Sequence, residues 1–491
     1  MKTKEAYLGL DLGGTGAKAG VFNARGRLLG FAQRRITPKT PAPGQAEIPI
    51  EVIEAAARDA VREAVHMAAA PIRTFAVVTQ GQTFVSLDER DRPLHPAIIW
   101  YDSRATDQAR RLNETLASGA DAAPKQLFAA IATAPKIVWL REQSPERMRR
   151  ARRYLLLPDY VAYRLTGQAV TEPNTAVSTG LYAINSATYS AAALKASDIA
   201  ADQLARILPP GQCVGHLLKE RANAWGLSPE TMLITGTNDQ YAGALGAGNC
   251  RPGIISETSG TCLALITLTK RLPHPMPPGL FGGRFPIDPY YFALAFAKTA
   301  GIVLDWFREQ CAAGKSFEEL NRQAKKVPIG CRGLTVGPHF DGMISPRPDA
   351  GMRGIFANLT LQHTRADMYR AILEALAFSL RENVAFLKEQ RLAVNKIRCI
   401  GGGAKNEFWL QMKADVTGKS VEQPAVTESA VLGAAMLAAW GAGAFSSLAE
   451  TSAAWYRLGR VFIPNLANHG KYEAPYRRYR ELTGKTIARP S

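Results

Sequence analysis

Five residues near the start of the chain, Asp11-Leu-Gly-Gly-Thr15, bring together a carboxylate, two glycines and a hydroxyl. Glycine lets backbone N–H groups approach an anion closely, so Gly13 and Gly14 suit a phosphate, Thr15 adds a hydroxyl and Asp11 can orient a hydrated Mg2+. The plain alternative is a hairpin turn, but such a turn seldom sets a carboxylate at the end of a buried strand beside two glycines and a threonine. Thr258-Ser-Gly-Thr261 has similar chemistry, with Ser259, Gly260 and Thr261 offering hydroxyls and open backbone to a phosphate chain. In Gly401-Gly-Gly-Ala-Lys-Asn406, flat backbone at Gly402 and Gly403 could receive an adenine ring, with Asn406 hydrogen-bonding nearby. Asp239 heads a Gly- and Ala-rich stretch, Gly236 to Gly248, and taken alone it reads as a helix N-cap. One familiar phosphate motif is absent and another is only imitated. Gly314-Lys315-Ser316 lacks the glycine five residues earlier that a Walker loop needs, and Gly14-x-Gly16-x-x-Ala19 leads into a strand instead of a helix.

These residues need elements to hold them. Tyr7 to Phe22 reads as strand, Gly-rich turn and strand, and Arg25-Gly26 turns into a third strand. Apolar residues at Ile50, Ile53, Ala57, Val61 and Val65 predict a helix over 49–69, and Thr74 to Val78 a buried strand. Residues 146–152 read as helix, and 153–158 and 233–236 as strands. Gly253 to Ile266 repeats the opening strand–turn–strand theme, which suggests duplication. A Pro- and Gly-rich insert over 272–289 follows, then helices over 300–311, 365–389 and 406–417 and a strand over 396–400. Strands alternating with helices make the chain α/β, and glycines and a proline near residues 246–253 place a single boundary, giving domains 1–248 and 249–491.

The 491 residues could fill about three ordinary domains or two large ones. Charged residues make up 21% and hydrophobic residues 46%, as expected of a globular chain with a sizeable core. The six cysteines lie far apart with no C-x-x-C pair, so neither a zinc site nor a disulfide framework is expected. The opening segment reaches Glu5 and Asp11 too soon for a signal peptide, so a cytoplasmic location is expected. Residues 430–445 are too short and too rich in Ala and Gly to span a membrane and read as a packed helix. The formal charge of +18 is scattered, and its densest run, Arg147 to Arg153, lacks aromatics for base stacking, so neither a nucleic acid nor a membrane is expected as partner. A homodimer is possible.

Several further motifs stand in order along the chain: Trp100-Tyr-Asp-Ser-Arg104, Thr133-Ala-Pro-Lys136, Leu157-Pro-Asp-Tyr160, Leu165-Thr-Gly167, Gln411-Met-Lys-Ala-Asp415 and Glu428-x-x-x-Leu-Gly-Ala-Ala435. Together with the Gly-rich loops they resemble the FGGY carbohydrate kinase family of the actin, hexokinase and Hsp70 superfamily, most closely its xylulokinase-like branch, over nearly the whole chain. The resemblance implies two ribonuclease-H-like (actin-like ATPase) domains flanking a catalytic cleft, with ATP and Mg2+ phosphorylating a hydroxyl of a small sugar or polyol. Asp239 matches the family's catalytic base, accepting the substrate's hydroxyl proton. Trp100 would wall the carbon chain, where a buried strand tryptophan is the plain alternative, and Asp102 would accept hydroxyl hydrogen bonds.

Substrate choice falls to Gln80, Gly81 and Gln82. Thr79-Gln-Gly-Gln82 stands where xylulokinases have Gly-Gln-Met-His and glycerol kinases Asn-Gln-Arg-Glu, so Gly81 and Gln82 replace both of the side chains that touch substrate in those groups. A ketopentose such as xylulose or ribulose and a linear sugar alcohol or glycerol-like polyol are both compatible with a glutamine, which presents donor and acceptor alike. A nucleotide-gated binding protein of the actin and Hsp70 kind is the reading of another class; Asp239 with Trp100 and Asp102 favours the kinase.

Overall fold

The computed structural model describes residues 5–117, 128–184 and 186–484. The chain packs as two compact units, Met1–Gly246 with Ala430–Trp455, and Ala247–Ser429 with Tyr456–Ser491.

In the first unit β1 (Ala6–Gly13), β2 (Gly16–Asn23) and β3 (Leu28–Arg35) form an antiparallel meander in which Asp11 lies opposite Lys18 and Gly13 opposite Gly16. Ile72–Thr79 runs parallel to β1 on its other side, followed by Met232–Ile234, parallel, and Cys213–His216, antiparallel at the edge. Both faces of β1 are covered, which is why its sequence is apolar nearly throughout instead of alternating. The helix α1 (Ile50–Ala68) turns Ile50, Ile53, Ala57, Ala60, Val61 and Ala64 into the core, within one residue of the expected span at each end. A small sheet of Glu47–Ile48, Ala97–Ile98, Phe84–Leu87 and Arg153–Leu156 carries the loops around Gln82 and Trp100. The strand expected over 153–158 stops at Leu156, because Pro158 opens the helix Leu157–Thr166. The helix expected over 146–152 shrinks to Pro145–Met148, and the Arg152 N–H is drawn to the Leu87 carbonyl at 2.8 Å.

The second unit repeats the plan. Gly253–Ser259 is antiparallel to Leu263–Thr269 and parallel to Val394–Ile400, and its sheet continues through Tyr291–Ala297 and Leu280–Arg284 on one side and Val421–Pro424 and Leu458–Phe462 on the other. The segment read as an insert over 272–289 thus contributes the edge strand Leu280–Arg284, whose Gly282-Gly283 pair hides the alternation of side chains. The helices Gly301–Cys311, Arg365–Glu389 and Glu407–Thr417 line this unit's core.

One division of the chain at 248/249 differs from what the structure shows, since Ala430–Trp455 packs with the first unit. Within it, Ser429–Gly441 is buried from Val431 to Ala439, and its small residues allow backbone to meet backbone. A Cβ at Gly9 would stand 2.1 Å from the Val431 carbonyl oxygen, and one at Gly433 1.9 Å from that of Ala242. That seam excludes any side chain at either glycine. Among the described residues no helix is long and apolar enough to cross a membrane.

Candidate active site

Parallel pairing of β1 with Ile72–Thr79 sets Asp11 beside Val78 and Leu12 beside Thr79, so the turn after β1 and the loop after Thr79 emerge together. The Gln80 N–H donates to the Leu12 carbonyl at 3.2 Å. A Cβ at Gly14 would lie 2.9 Å from Gln80 Oε1 and 3.6 Å from Trp100 Nε1, which places Gly14, Gln80 and Trp100 together. Gln82 has φ of 55°, a left-handed conformation unfavourable for a residue with a side chain, and the Thr133 hydroxyl donates to its carbonyl at 3.4 Å.

The next strand over delivers Asp239. Thr79 bridges to Asn238, and the helix Asp239–Gly246 starts immediately after. Asn238 takes the capping position: its carbonyl accepts from Tyr241 and Ala242, and its Oδ1 accepts from the Gln240 N–H at 3.0 Å. The Asp239 carboxyl is therefore not needed as the cap. Burial pushes it up to about 6, against the Gln240 N–H and the Lys18 ammonium, which favour the carboxylate. At neutral pH it is mostly ionised yet more basic than an ordinary aspartate. Gly81 joins the group: a Cβ there would meet Ser178 Oγ at 2.3 Å and Asn238 Nδ2 at 3.5 Å. Gln80 Oε1 and Gln240 Oε1 are both buried without a hydrogen-bond partner, an arrangement that calls for a donor from a bound molecule.

Asp102 departs from expectation. Its carboxylate is fully buried and already engaged: Oδ2 accepts from the Ala46 N–H at 2.6 Å and from Arg104 Nη2 at 2.7 Å, while Oδ1 accepts from Arg104 Nε at 2.9 Å and the Arg104 N–H at 3.0 Å. With its lone pairs taken by a guanidinium and two backbone donors, it fixes the turn that carries Trp100 instead of offering itself to a hydroxyl. Lys136 reinforces that turn from below. Its buried Nζ donates to the Ile99 carbonyl at 2.8 Å and the Trp100 carbonyl at 3.3 Å, and burial lowers its ammonium to about 7 although the Asp102 charge opposes this.

Three contributors escaped the sequence reading. Glu172, buried and pushed up to about 7 by desolvation, accepts from the Asn174 and Thr175 N–H groups and both the Thr175 and Thr237 hydroxyls, so it ties the segment leading to Ser178 to the approach to Asp239. Ser178 and Asn238 are the others. The only available signal was Glu172-Pro173, an acidic cap before a helix-starting proline.

In the second unit the turn Ser259-Gly260-Thr261 is tied to the head of a helix: the Gly301 N–H donates to the Gly260 carbonyl at 2.7 Å, and the Ala300 N–H to the Thr261 carbonyl at 3.0 Å. Thr258 pairs with Ile400, so Gly401-Gly402-Gly403 emerges beside this turn, and a Cβ at Gly403 would stand 2.6 Å from the Ser259 carbonyl. Gly402 is exposed with open space around it. Beneath the turn, Lys413 Nζ lies 2.9 Å from both Glu257 oxygens, donates to Ser259 Oγ at 3.0 Å, and sits 3.8 Å over the Trp409 ring; the Ser259 hydroxyl in turn donates to Glu257. Asn406 is used locally: its Oδ1 accepts from the Trp409 N–H at 3.2 Å as the cap of Glu407–Thr417, and its Nδ2 donates to Asn321 at 2.9 Å.

Among the described residues no three His, Cys, Asp or Glu side chains gather around a metal position. Asp11, half-buried near the end of β1, stands two residues before the Gly13–Thr15 turn. A single carboxylate suits a cation that keeps most of its water and takes its other ligands from phosphate oxygens.

The model of the N-terminal domain of the FGGY family of carbohydrate kinases matches residues 6–246, and that of the C-terminal domain residues 254–442. The chain is 30% identical over 478 residues to the xylulose kinase of Bacillus subtilis (strain 168), covering 97% of this chain and 96% of that protein. The xylulose kinase structure from Rhodospirillum rubrum superposes with a TM-score of 0.82 at 27% identity, and the gluconate kinase from Lactobacillus acidophilus with a TM-score of 0.86 at 22% identity, each covering 98% of both chains. Family models spanning most of the chain, together with its two-unit α/β fold, establish that it belongs to the FGGY family of carbohydrate kinases and phosphorylates a sugar with ATP.

Proposed function

We propose that the acceptor is a ketopentose such as xylulose or ribulose and that Asp239 is the general base. In this reading a substrate hydroxyl gives its proton to the Asp239 carboxylate while its oxygen attacks the γ-phosphorus of ATP and ADP departs. The observation that carries it is the raised Asp239 carboxyl, together with two buried glutamine oxygens that lack hydrogen-bond partners, Oε1 of the adjacent Gln240 and Oε1 of Gln80 beside Gly14. Acceptor oxygens call for hydroxyl donors, which favours a neutral polyhydroxylated substrate over one carrying a carboxylate. Trp100 and Gln82 complete the sugar site, and Asp102, Lys136 and Glu172 hold its parts in place. Gly13, Gly14 and Thr15 in the first unit and Ser259, Gly260, Thr261, Gly402 and Gly403 in the second contact the nucleotide. Asp11 would hold Mg2+, and the bound ion would neutralise phosphate charge.

The B. subtilis relative named xylulose kinase supports the ketopentose assignment. An ADP-release assay over ketopentoses, sugar alcohols, glycerol and gluconate tests it. The highest kcat/KM should fall on a ketopentose. A sugar alcohol, glycerol or gluconate turned over tenfold more efficiently than every ketopentose would refute the assignment while leaving the kinase chemistry standing.

A further inference from the structure

Of the lysines and arginines behind the formal charge of +18, the site described above uses few, among them Lys18, Arg104, Lys136 and Lys413. Others converge in one place in the second unit, in a groove of about 610 Å³ where the C-terminal helix Leu466–Gly484 faces Arg347 and Arg381. Four guanidinium groups line it, from Arg347, Arg381, Arg477 and Arg480, with Glu473 and Glu481 as the carboxylates at its walls.

The four are not equally occupied. Arg347 reaches the buried Glu382 at 3.0 Å, and Arg381 donates to Glu473 at 2.7 Å with its guanidinium carbon 4.2 Å from the centre of the Tyr476 ring. Burial raises the Glu382 carboxyl, and the charges of Arg347 and Arg480 oppose that rise. Arg477 and Arg480 are exposed, one turn apart, and neither is hydrogen-bonded or ion-paired to another described residue. Arg381 Nη1 is buried with no hydrogen-bond partner. A donor held this way is unfavourable unless something supplies an oxygen.

We propose that this groove binds a small molecule carrying two or more phosphate groups. Guanidinium forks match phosphate oxygens two at a time, and such charge-assisted bonds are among the stronger ones. Several arginines on three separate segments select for multiple phosphates over one. The volume exceeds what a lone inorganic anion would fill. The groove lies wholly in the second unit and uses none of the residues assigned above to sugar or nucleotide.

The test uses the full chain with ADP at saturation, so that the nucleotide site is filled, and titrates inorganic tripolyphosphate calorimetrically. One tripolyphosphate per chain should bind with Kd on the order of 10–100 µM, weakening as salt rises. The double variant Arg477→Ala/Arg480→Ala changes two exposed side chains, so its melting temperature and its kinase activity without added tripolyphosphate should match the parent. Its affinity for the probe should fall about tenfold or more. The single variant Arg347→Ala should weaken the probe as well. No binding at about 1 mM with ADP at saturation, or unchanged affinity in both variants, would overturn the proposal.

Discussion

Replacing Asp239 by Asn separates charge from shape at the proposed base, and its consequences reach both stability and rate. The Asp239 carboxyl stands at about 6, roughly two pH units above an ordinary aspartate. At 1.36 kcal/mol per pH unit, the folded surroundings disfavour the carboxylate by on the order of 3 kcal/mol relative to the unfolded chain. The sign follows from which state holds the proton more tightly. Below about pH 4 the group is protonated in both states and has no effect; between about 4 and 6 the unfavourable contribution grows, and above about 6 it is complete. Asparagine never carries that charge, so Asp239→Asn should melt at or above the parent at pH 8 and converge on it near pH 4. Turnover should move the other way, falling by about 10²–10⁴-fold at pH 8, the usual contribution of a positioned base. For the parent, kcat/KM should drop tenfold per pH unit below about 6 and level off above it, and this acid limb should be missing from the variant. Coupled ADP release between pH 5 and 8, with calorimetric melting of the same preparations, reads all three. Turnover within tenfold of the parent, or a parental profile flat down to pH 5, would refute the reasoning; a variant that melts lower at pH 8 would refute the desolvation argument alone.

Thr15→Val and Thr261→Val keep the shape of the two turns and delete their hydroxyls, so each should raise KM for ATP or lower turnover by about 3–10-fold; unaltered kinetics in both would exclude a role for the two hydroxyls at the phosphates. Gln82→Ala should reduce kcat/KM most for the native acceptor, by about tenfold to a hundredfold, and flatten the ranking across a sugar panel. An unchanged ranking with a lowered melting temperature would instead assign Gln82 to holding its loop. Lys413→Met leaves the buried Glu257 carboxylate without its counter-ion and should destabilise the second unit by about 3–5 kcal/mol. Adding Glu257→Gln should recover most of that loss, and a double variant no more stable than Lys413→Met would show that the pair is not what holds the Ser259 turn.

The chemistry-bearing turns were readable because local rules govern them. Asp11-Leu-Gly-Gly-Thr15 joins two apolar runs, and it is the turn between β1 and β2. The apolar spacing of α1 likewise placed that helix to within a residue at each end, since its core face repeats over five turns. What stayed hidden depends on partners far along the chain. Asp102 looks like a substrate carboxylate in Trp100-Tyr-Asp-Ser-Arg104, and only the fold brings Ala46 and the Arg104 fork onto its oxygens. Glu172 could not be linked to Asp239 from spacing, because the bond to Thr237 spans 65 residues. Ala430–Trp455 was invisible as part of the first unit for the same reason: an Ala- and Gly-rich helix is buried on all sides whichever unit receives it. Lys413 lay in a quoted motif, but the pairing that gives it meaning is with Glu257 on a strand 156 residues earlier.

The return of residues 430–455 to the first unit sets an order of events for a chain made from its N-terminus. Everything that the second unit needs up to Ser429 is synthesised before the first unit receives the helix that lies against Gly9 and Ala242. Until then β1, though complete in sequence, lacks the cover on the face of Gly9, and Tyr7, whose ring lies 5.9 Å from that of Trp455, has no closed core to enter. A nascent chain or a proteolytic fragment ending near Gly248 therefore has most of the first unit but leaves the Gly9 face of β1 uncovered. Thus, although the family boundary falls near residue 250, the smallest stretch that can close the first unit's core runs through Trp455.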